Sequence, residues 1–436
     1  MSQEILQPGV LEQVQALQSA DLVVGVPSFN NVTTIPHVIE AIEVGLQKYF
    51  SQFQSAIVNS DGGSTDGSRE AVLGAQAEQR HLLLLSHPLS PVHRLVTPYH
   101  GVPGKGSAFR TIFRVAELLH AKACAVVDSD LRSITPEWIE LLLRPLMHRG
   151  YDYVAPYYLR HKYDGTITNS IVYPLTRALY GLRVRQPIGG DFGFSGQLAS
   201  HFLAQDVWEG DVARYGIDIW MTTTAICGGF RVCQSFLGAK IHDAKDPGSD
   251  LSAMLTQVVG SVFRLMEAHA PAWRAVQSSQ DVPIFGFRFG VGLEPIQVNL
   301  QRMVDHFCRG LTDLGEIWDQ VLQPDTAAEL RDLSKVAPRD FHLPDELWVR
   351  AIYDFAVGFN ARKIHPDHLL RSLTPLYMGR VASCVAETSN SSSREVEQKI
   401  EQLCLVYEKL KPHLIERWQP TPSPATVEEP VATAAA

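Results

Sequence analysis

The chain has 436 residues, is 45% hydrophobic and 19% charged, and carries a formal net charge of -9 with a pI near 6.0. That length allows a large core with room for two domains, while the acidic balance excludes nonspecific nucleic-acid binding, which needs a basic surface to displace counterions. The start, MSQEILQPGVLEQVQ, lacks the basic and apolar blocks of a signal peptide, and no stretch approaches the ~18 to 20 apolar residues of a membrane span, so a cytoplasmic protein without membrane or nucleic-acid partner is expected.

Residues 1–20 read as an N-terminal helix or extension. From Asp21, LVVGVPSFNN is a short apolar strand ending in Pro27, Ser28, Asn30 and Asn31, and a helical pattern follows over about Thr34 to Tyr49. AIVNSDGGSTDG is a second strand closing on Asp61 and two glycines, with Ser64 to Asp66 as the N-cap of a helix from Ser68. HLLLLSH reads as a third strand. Pro103, Gly104, Lys105 and Gly106 then open a helix through SAFRTIFRVAELL, and Ala123 to Ser133 is a fourth strand that stops abruptly at Asp128, Ser129 and Asp130. A helix ends near Arg149, YDYVAPYYLR is a further strand, and another helix runs from about Asn169 to Tyr180. QPIGGDFGFSG is too glycine-rich for regular structure. A helix begins near Asp218, and a last strand reaches His242 and Asp243.

This alternation predicts an α/β fold: a mostly parallel sheet with helices on both faces and a ligand site beyond the C-terminal strand ends. Asn30, Asp61, Lys105, Asp128 and Asp130 should therefore meet at one crevice. The first domain spans 21–250, a helical domain 251–418, and the Pro- and Ala-rich stretch 419–436 is expected to be a disordered tail.

Two carboxylates at the end of a buried strand are costly to desolvate, which calls for a cation or an open cleft, and a sparsely ligated Mg²⁺ or Mn²⁺ suits Asp128 and Asp130. The plainer reading is that either one caps the next helix. His242 offers an imidazole to the same cation. The PGKG loop lets backbone approach closely and sets Lys105 beside phosphate, although it lacks the GxxxxGK[ST] spacing. Gly189, Gly190 and Asp191, and Gly216, Ile217 and Asp218, put carboxylates in glycine-permitted backbone and read as a sugar-binding wall; Asp191 capping a turn and Asp218 capping its helix are the alternatives. Arg160, His161 and Lys162, ahead of Asp164, Gly165, Thr166, Ile167 and Thr168, suit a small carboxylate at a helix start, or form a solvated basic turn. The six cysteines are scattered without a CxxC pair and read as reduced thiols.

In order, VPSFNN, NSDGGSTDG, PGKGSA, VVDSDL, QPIGGDF, YGID and KIHD resemble the GT-A nucleotide-sugar glycosyltransferases that make mannosylglycerate, glucosylglycerate or glucosyl-3-phosphoglycerate. These are Rossmann-like, retaining, metal-dependent and cytosolic enzymes. The resemblance covers about Asp21 to Asp246, and DELWVRAIYDF is similar, more loosely, to the C-terminal part of mannosylglycerate synthase. It implies that Pro27, Ser28 and Asn30 line the base and ribose site, with Asp61 at the base edge. Lys105 would sit beside the diphosphate. Asp130 and His242 would hold the divalent metal, with Asp128 next to it towards the ribose and Ser129 part of the donor site. Gly190 and Asp191 would face the hexose, Asp218 would lie near the anomeric carbon, and Arg160, Gly165, Thr166 and Thr168 would form the acceptor site.

The phosphoglycerate-using members carry a Gly-Arg-x-Thr pattern, whereas this chain reads Gly165, Thr166, Ile167, Thr168. A hydroxyl does not replace a guanidinium as partner of a dianion, so unphosphorylated D-glycerate is the expected acceptor, with His161 and Lys162 near enough in sequence to compensate. The expected reaction moves glucose from a UDP-, ADP- or GDP-linked donor to the 2-hydroxyl of D-glycerate with retention. Alternatives are a mannosyl donor, 3-phosphoglycerate as acceptor, a non-catalytic nucleotide-sugar-binding protein, and a DxD phosphatase. The last usually has Thr or Val where this chain has Arg132. A homodimer is compatible with the sequence.

Overall fold

A computed structural model describes residues 5–74, 92–98, 104–210, 212, 216–241, 252–288, 298–337 and 340–419. Its strands are β1 Leu22–Ser28, β2 Ser55–Asp61, β3 Val92–Pro98, β4 Ala123–Val126, β5 Tyr153–Leu159, β6 Phe192–Ser195, β7 Val232–Ala239 and β8 Ile284–Phe285. They form one eight-stranded sheet in the order β3-β2-β1-β4-β6-β5-β7-β8. Every pairing is parallel except those of β6, which runs antiparallel to β4 and β5.

The helices of the first part are α1 Pro8–Leu17, α2 Ile35–Tyr49, α3 Ser68–Gly74, α4 Lys105–Leu118, α5 Pro136–Arg149, α6 Tyr173–Tyr180, α7 Gly196–Leu203 and α8 Ile217–Cys227. Strands β1, β2 and β4 are buried along their whole length, as strands covered by helices on both faces must be. Leu22, Val24 and Val26 of β1 join the core beneath α2 and α5, whereas Val23 joins the opposite core with Phe109 and Phe113 of α4. The expected fold class is thus present, with a helical region following it.

One local expectation needs correction. The glycine-rich run QPIGGDFGFSG is not irregular throughout, because it contains β6. Phe192 and Phe194 enter one core, and a Cβ on Gly193 would lie 2.4 Å from the Leu142 carbonyl oxygen on the other face. Its glycine permits close approach of α5 rather than a loop. The HLLLLSH segment lies outside the described residues, and the position beside β2 is held by Val92–Pro98, whose polar residues hid an edge strand from an apolar-run reading.

The second part comprises α9 Ser252–Ala268, α10 Ala270–Ala275, α11 Leu300–Asp313, α12 Gly315–Val321, α13 Pro324–Leu333, α14 Asp345–Asn360, α15 Pro366–Thr388 and α16 Ser393–Arg417. Helix α16 opens with a capping box between Ser392 and Glu395. Strand β8 also comes from this part of the sequence, so chain beyond residue 250 completes the sheet. The helices clasp residues 166–185 from behind: Trp348 Nε1 and the Tyr407 hydroxyl both donate to Ser170 O, at 2.9 and 3.0 Å, and Arg185 pairs with Glu397 at 2.6 Å. Among the described residues no helix is long and apolar enough to cross a membrane. Apart from Gln419, the expected tail lies outside them.

Candidate active site

The C-terminal strand ends open onto a cleft of about 330 Å³. Beyond β4 the chain turns, and the Asp128 N–H donates to Asp191 Oδ1 at 2.8 Å. The two carboxylate oxygens of Asp128 meet different lysines: Oδ1 lies 2.7 Å from Lys105 Nζ and Oδ2 2.8 Å from Lys240 Nζ. Lys105, the first residue of α4, also reaches Asp218 Oδ1 at 3.3 Å, from the first turn of α8. Lys240, just past β7, places its three protons on Asp128, on Asp191 Oδ2 at 2.7 Å and on Gly189 O at 2.8 Å. The Tyr158 hydroxyl at the end of β5 also donates to Asp191 Oδ2.

Burial opposes the charge on both lysines, yet the adjoining carboxylates outweigh it and hold both pKa values above the ordinary lysine value. Burial pushes Asp128 upward, but Lys105 and Lys240 prevail and keep it well below the usual carboxylate range. At Asp218 burial wins over Lys105, and the pKa is raised. Asp218 Oδ1 makes no hydrogen bond among the described residues beyond that longer ion pair.

Across the cleft lies the segment after β5. Arg160 pairs with Asp164 at 3.4 Å, and Gly165, at φ +66°, turns the chain in the left-handed region that favours glycine. The Thr166 hydroxyl shares a hydrogen bond with the Tyr377 hydroxyl of α15, and Thr168 opens a π-helical turn, Thr168–Val172, that leads into α6. Ile188, with Met254 and Val258 of α9, adds an apolar wall. Lys162 turns away from the cleft and donates to Thr388 O, Ser389 O and Ser391 O at 2.7, 3.0 and 3.0 Å.

Nine residues to which the resemblance gave a site role therefore line one cleft: Lys105, Asp128, Asp130, Arg160, Gly165, Thr166, Thr168, Gly190 and Asp218. Others are placed as braces. Asp61 is buried, with Oδ2 accepting from the Gly63 and Ser64 N–H groups at 2.9 and 3.0 Å and Oδ1 from the hydroxyls of Ser64 and Ser28 at 2.6 and 3.3 Å. It shapes its own turn. Pro27 and Ser28 are buried beside it, while the exposed Asn30 accepts from the Thr65 N–H through Oδ1 at 3.0 Å. Ser129 donates to Asn31 Oδ1 at 2.8 Å, tying the Asp-Ser-Asp turn to the end of β1. Asp191, expected to face a hexose, is fully buried behind the cleft lining, where it holds Lys240, the Asp128 N–H and the Tyr158 hydroxyl. His242 lies outside the described residues. Its neighbour Ile241 is bonded in both directions to the turn after Asp130, through Ser133 Oγ at 2.9 Å and the Arg132 N–H at 3.0 Å.

Lys240 and Tyr158 were missed. Lys240 carries the same signal that singled out Asp128, a charge just beyond an apolar strand.

The cluster also bears on a divalent cation. Three aspartates (Asp128, Asp191, Asp218) face two lysines, so one negative charge remains before Asp130 is counted. An anionic diphosphate entering such a cleft needs added positive charge. Mg²⁺ or Mn²⁺ binds with one or two carboxylates plus waters and phosphate oxygens, and Asp130 lines the cleft to supply one. The residues fit such an ion, although among those described no group of three or more His, Cys, Asp or Glu side chains forms a complete cage.

No family model matches the sequence, and no curated protein matches it. Among solved structures the chain is similar in outline to glucosyl-3-phosphoglycerate synthase from Mycobacterium tuberculosis. With Mn²⁺, uridine diphosphate and glucosyl-3-phosphoglycerate bound, that structure shows 23% identity and a TM-score of 0.44, covering 59% of this chain and 85% of that one. With Mn²⁺, UDP-glucose and phosphoglyceric acid the values are 23% and 0.43, covering 59% and 83%; with Mg²⁺ and uridine diphosphate they are 23% and 0.43, covering 61% and 85%. Likeness at this level is one of outline and transfers no chemistry.

Proposed function

We propose that the protein is a retaining, metal-dependent hexosyltransferase of GT-A type that moves glucose from a nucleotide diphosphate sugar to the 2-hydroxyl of D-glycerate. The observation that carries this reading is Lys105, which bridges Asp128 and Asp218 opposite the Arg160–Thr168 segment within a single cleft. A cation shared between two carboxylates, at the start of a helix, is suited to exchanging one of them for a diphosphate oxygen.

In this reading the donor diphosphate lies against Lys105 and the sugar against Gly190. Asp130, with His242 as its expected companion, would hold the divalent cation, which supplies Lewis-acid stabilisation of the leaving diphosphate. Arg160 and the backbone around Gly165 receive the acceptor carboxylate, and Asp218 orients the acceptor hydroxyl. The bond from the anomeric carbon to phosphate oxygen breaks as the bond to the acceptor O2 forms on the same face, and the acceptor proton passes to the departing phosphate oxygen. Lys105 offsets the charge that builds there.

The choice of glycerate is supported by the surroundings of Thr166. Its hydroxyl is shared with Tyr377, and Lys162, near enough in sequence to serve a phosphate, is committed to three carbonyls. We read residues 21–250 as the donor-binding domain and 251–418 as a helical domain that finishes the acceptor side; nucleotide-sugar use fits a cytoplasmic location.

The test is a matrix of UDP-, ADP- and GDP-linked glucose and mannose against D-glycerate and 3-phosphoglycerate, with Mg²⁺, Mn²⁺ or EDTA, followed by NMR of the anomeric proton. An α-glucoside of glycerate that forms only with metal is expected. Use of 3-phosphoglycerate alone would overturn the acceptor assignment, a mannoside would change the donor, and phosphate release without any glycoside would replace the transferase by a phosphatase.

A further inference from the structure

Lys240 is the less accessible of the two lysines of the cluster, with 4% of its side chain exposed against 20% for Lys105. All three of its protons are placed, and the Tyr158 ring lies 5.2 Å from its nitrogen. Its backbone neighbourhood is fixed too, because Ile241 is bonded to Arg132 and Ser133 in the turn that follows Asp130. Gly190 leaves the space this pair needs: a Cβ there would lie 2.1 Å from Asp128 Oδ2 and 2.8 Å from Lys240 Nζ. The protein thus builds a permanent ion pair into one side of the cleft, while Lys105 serves the open side.

We propose that Lys240 is a positioning residue, a fixed internal cation that reserves Asp128 and confines an added divalent cation to the Asp130 side of the cleft; this rests on the metal-dependent reading above. A carboxylate already neutralised by a pinned ammonium is a poor ligand for a hard cation, and the ammonium repels a second cation brought within a few ångströms. Removing the lysine should therefore make the acid cluster bind metal more tightly, the reverse of what loss of a merely structural residue would do.

The measurement is Mn²⁺ binding to the full chain without substrates, by calorimetry or by paramagnetic resonance of free Mn²⁺. Lys240→Met is expected to bind Mn²⁺ more than about 5-fold tighter than the wild type, Lys240→Arg to stay within about 5-fold of it, and Asp128→Asn placed on Lys240→Met to cancel the tightening. A Lys240→Met protein that binds Mn²⁺ with unchanged or weaker affinity overturns the proposal. Should that variant fail to fold, Asp128→Asn in the otherwise wild-type chain decides: a loss of affinity below about 5-fold supports the reserved carboxylate, and a larger loss overturns it. A wild type that binds no Mn²⁺ removes both this role and the metal from the proposed mechanism, while the glycoside assay judges transferase activity separately.

Discussion

Asp191 and Asp218 each pair with a lysine of the cleft, yet their surroundings differ. Asp191 is fully buried and satisfied by Lys240, by the Tyr158 hydroxyl and by the Asp128 amide. Asp191→Asn would leave Lys240 short of a buried partner and is expected to cost about 3 to 5 kcal/mol of stability, measured by chemical denaturation; a loss below about 1 kcal/mol would contradict the brace. Asp218 lines the cleft, and its Oδ1 has only the 3.3 Å ion pair with Lys105. Asp218→Asn is expected to lower kcat about 100- to 1000-fold, with Mn²⁺ affinity nearly unchanged. Near-wild-type turnover would remove the orienting role. Sequence singled out Lys105, Asp128 and Asp218 because a charge that interrupts an apolar strand end or opens a helix stands out. It did not show that the lone pairs of Asp61 and Asp191 are engaged by their own surroundings, since a string of letters does not say which lone pairs a turn consumes. Lys240 obeyed the same rule as Asp128, a charge at the end of an apolar strand.

At the scale of elements, the parallel strands were legible as apolar runs and β6 was not. Its Phe192-Gly193-Phe194 alternation is a strand signal overwritten by surrounding glycines, and only the packing against α5 explains why glycine is required. Gly193→Ala is expected to destabilise the fold by about 2 to 3 kcal/mol, because the obstacle is the Leu142 backbone carbonyl and not a side chain that can rotate away. Thermal or denaturant unfolding would show it, and an unchanged midpoint would mean that α5 shifts freely. Strand β8, two residues long, falls below any periodicity a sequence can display.

For the whole molecule, a helical region after the sheet was legible from periodicity and prolines, but its contribution to the cleft was not. Thr166 and Tyr377 are 211 residues apart in sequence, and nothing local announces their contact. Tyr377→Phe removes the partner of the Thr166 hydroxyl and is expected to raise the acceptor KM about 10-fold while the donor KM stays within about 2-fold. Steady-state kinetics with each substrate varied in turn separates the two; a change confined to the donor would refute the assignment.

The triple contact from Lys162 to the carbonyls ending α15 ties the acceptor segment to the far end of a long helix. On the proposed reading, drift in α15 or α16 would retune which small acid is glycosylated while the residues assigned to the nucleotide sugar stay unchanged, so related chains should diverge in acceptor sooner than in donor.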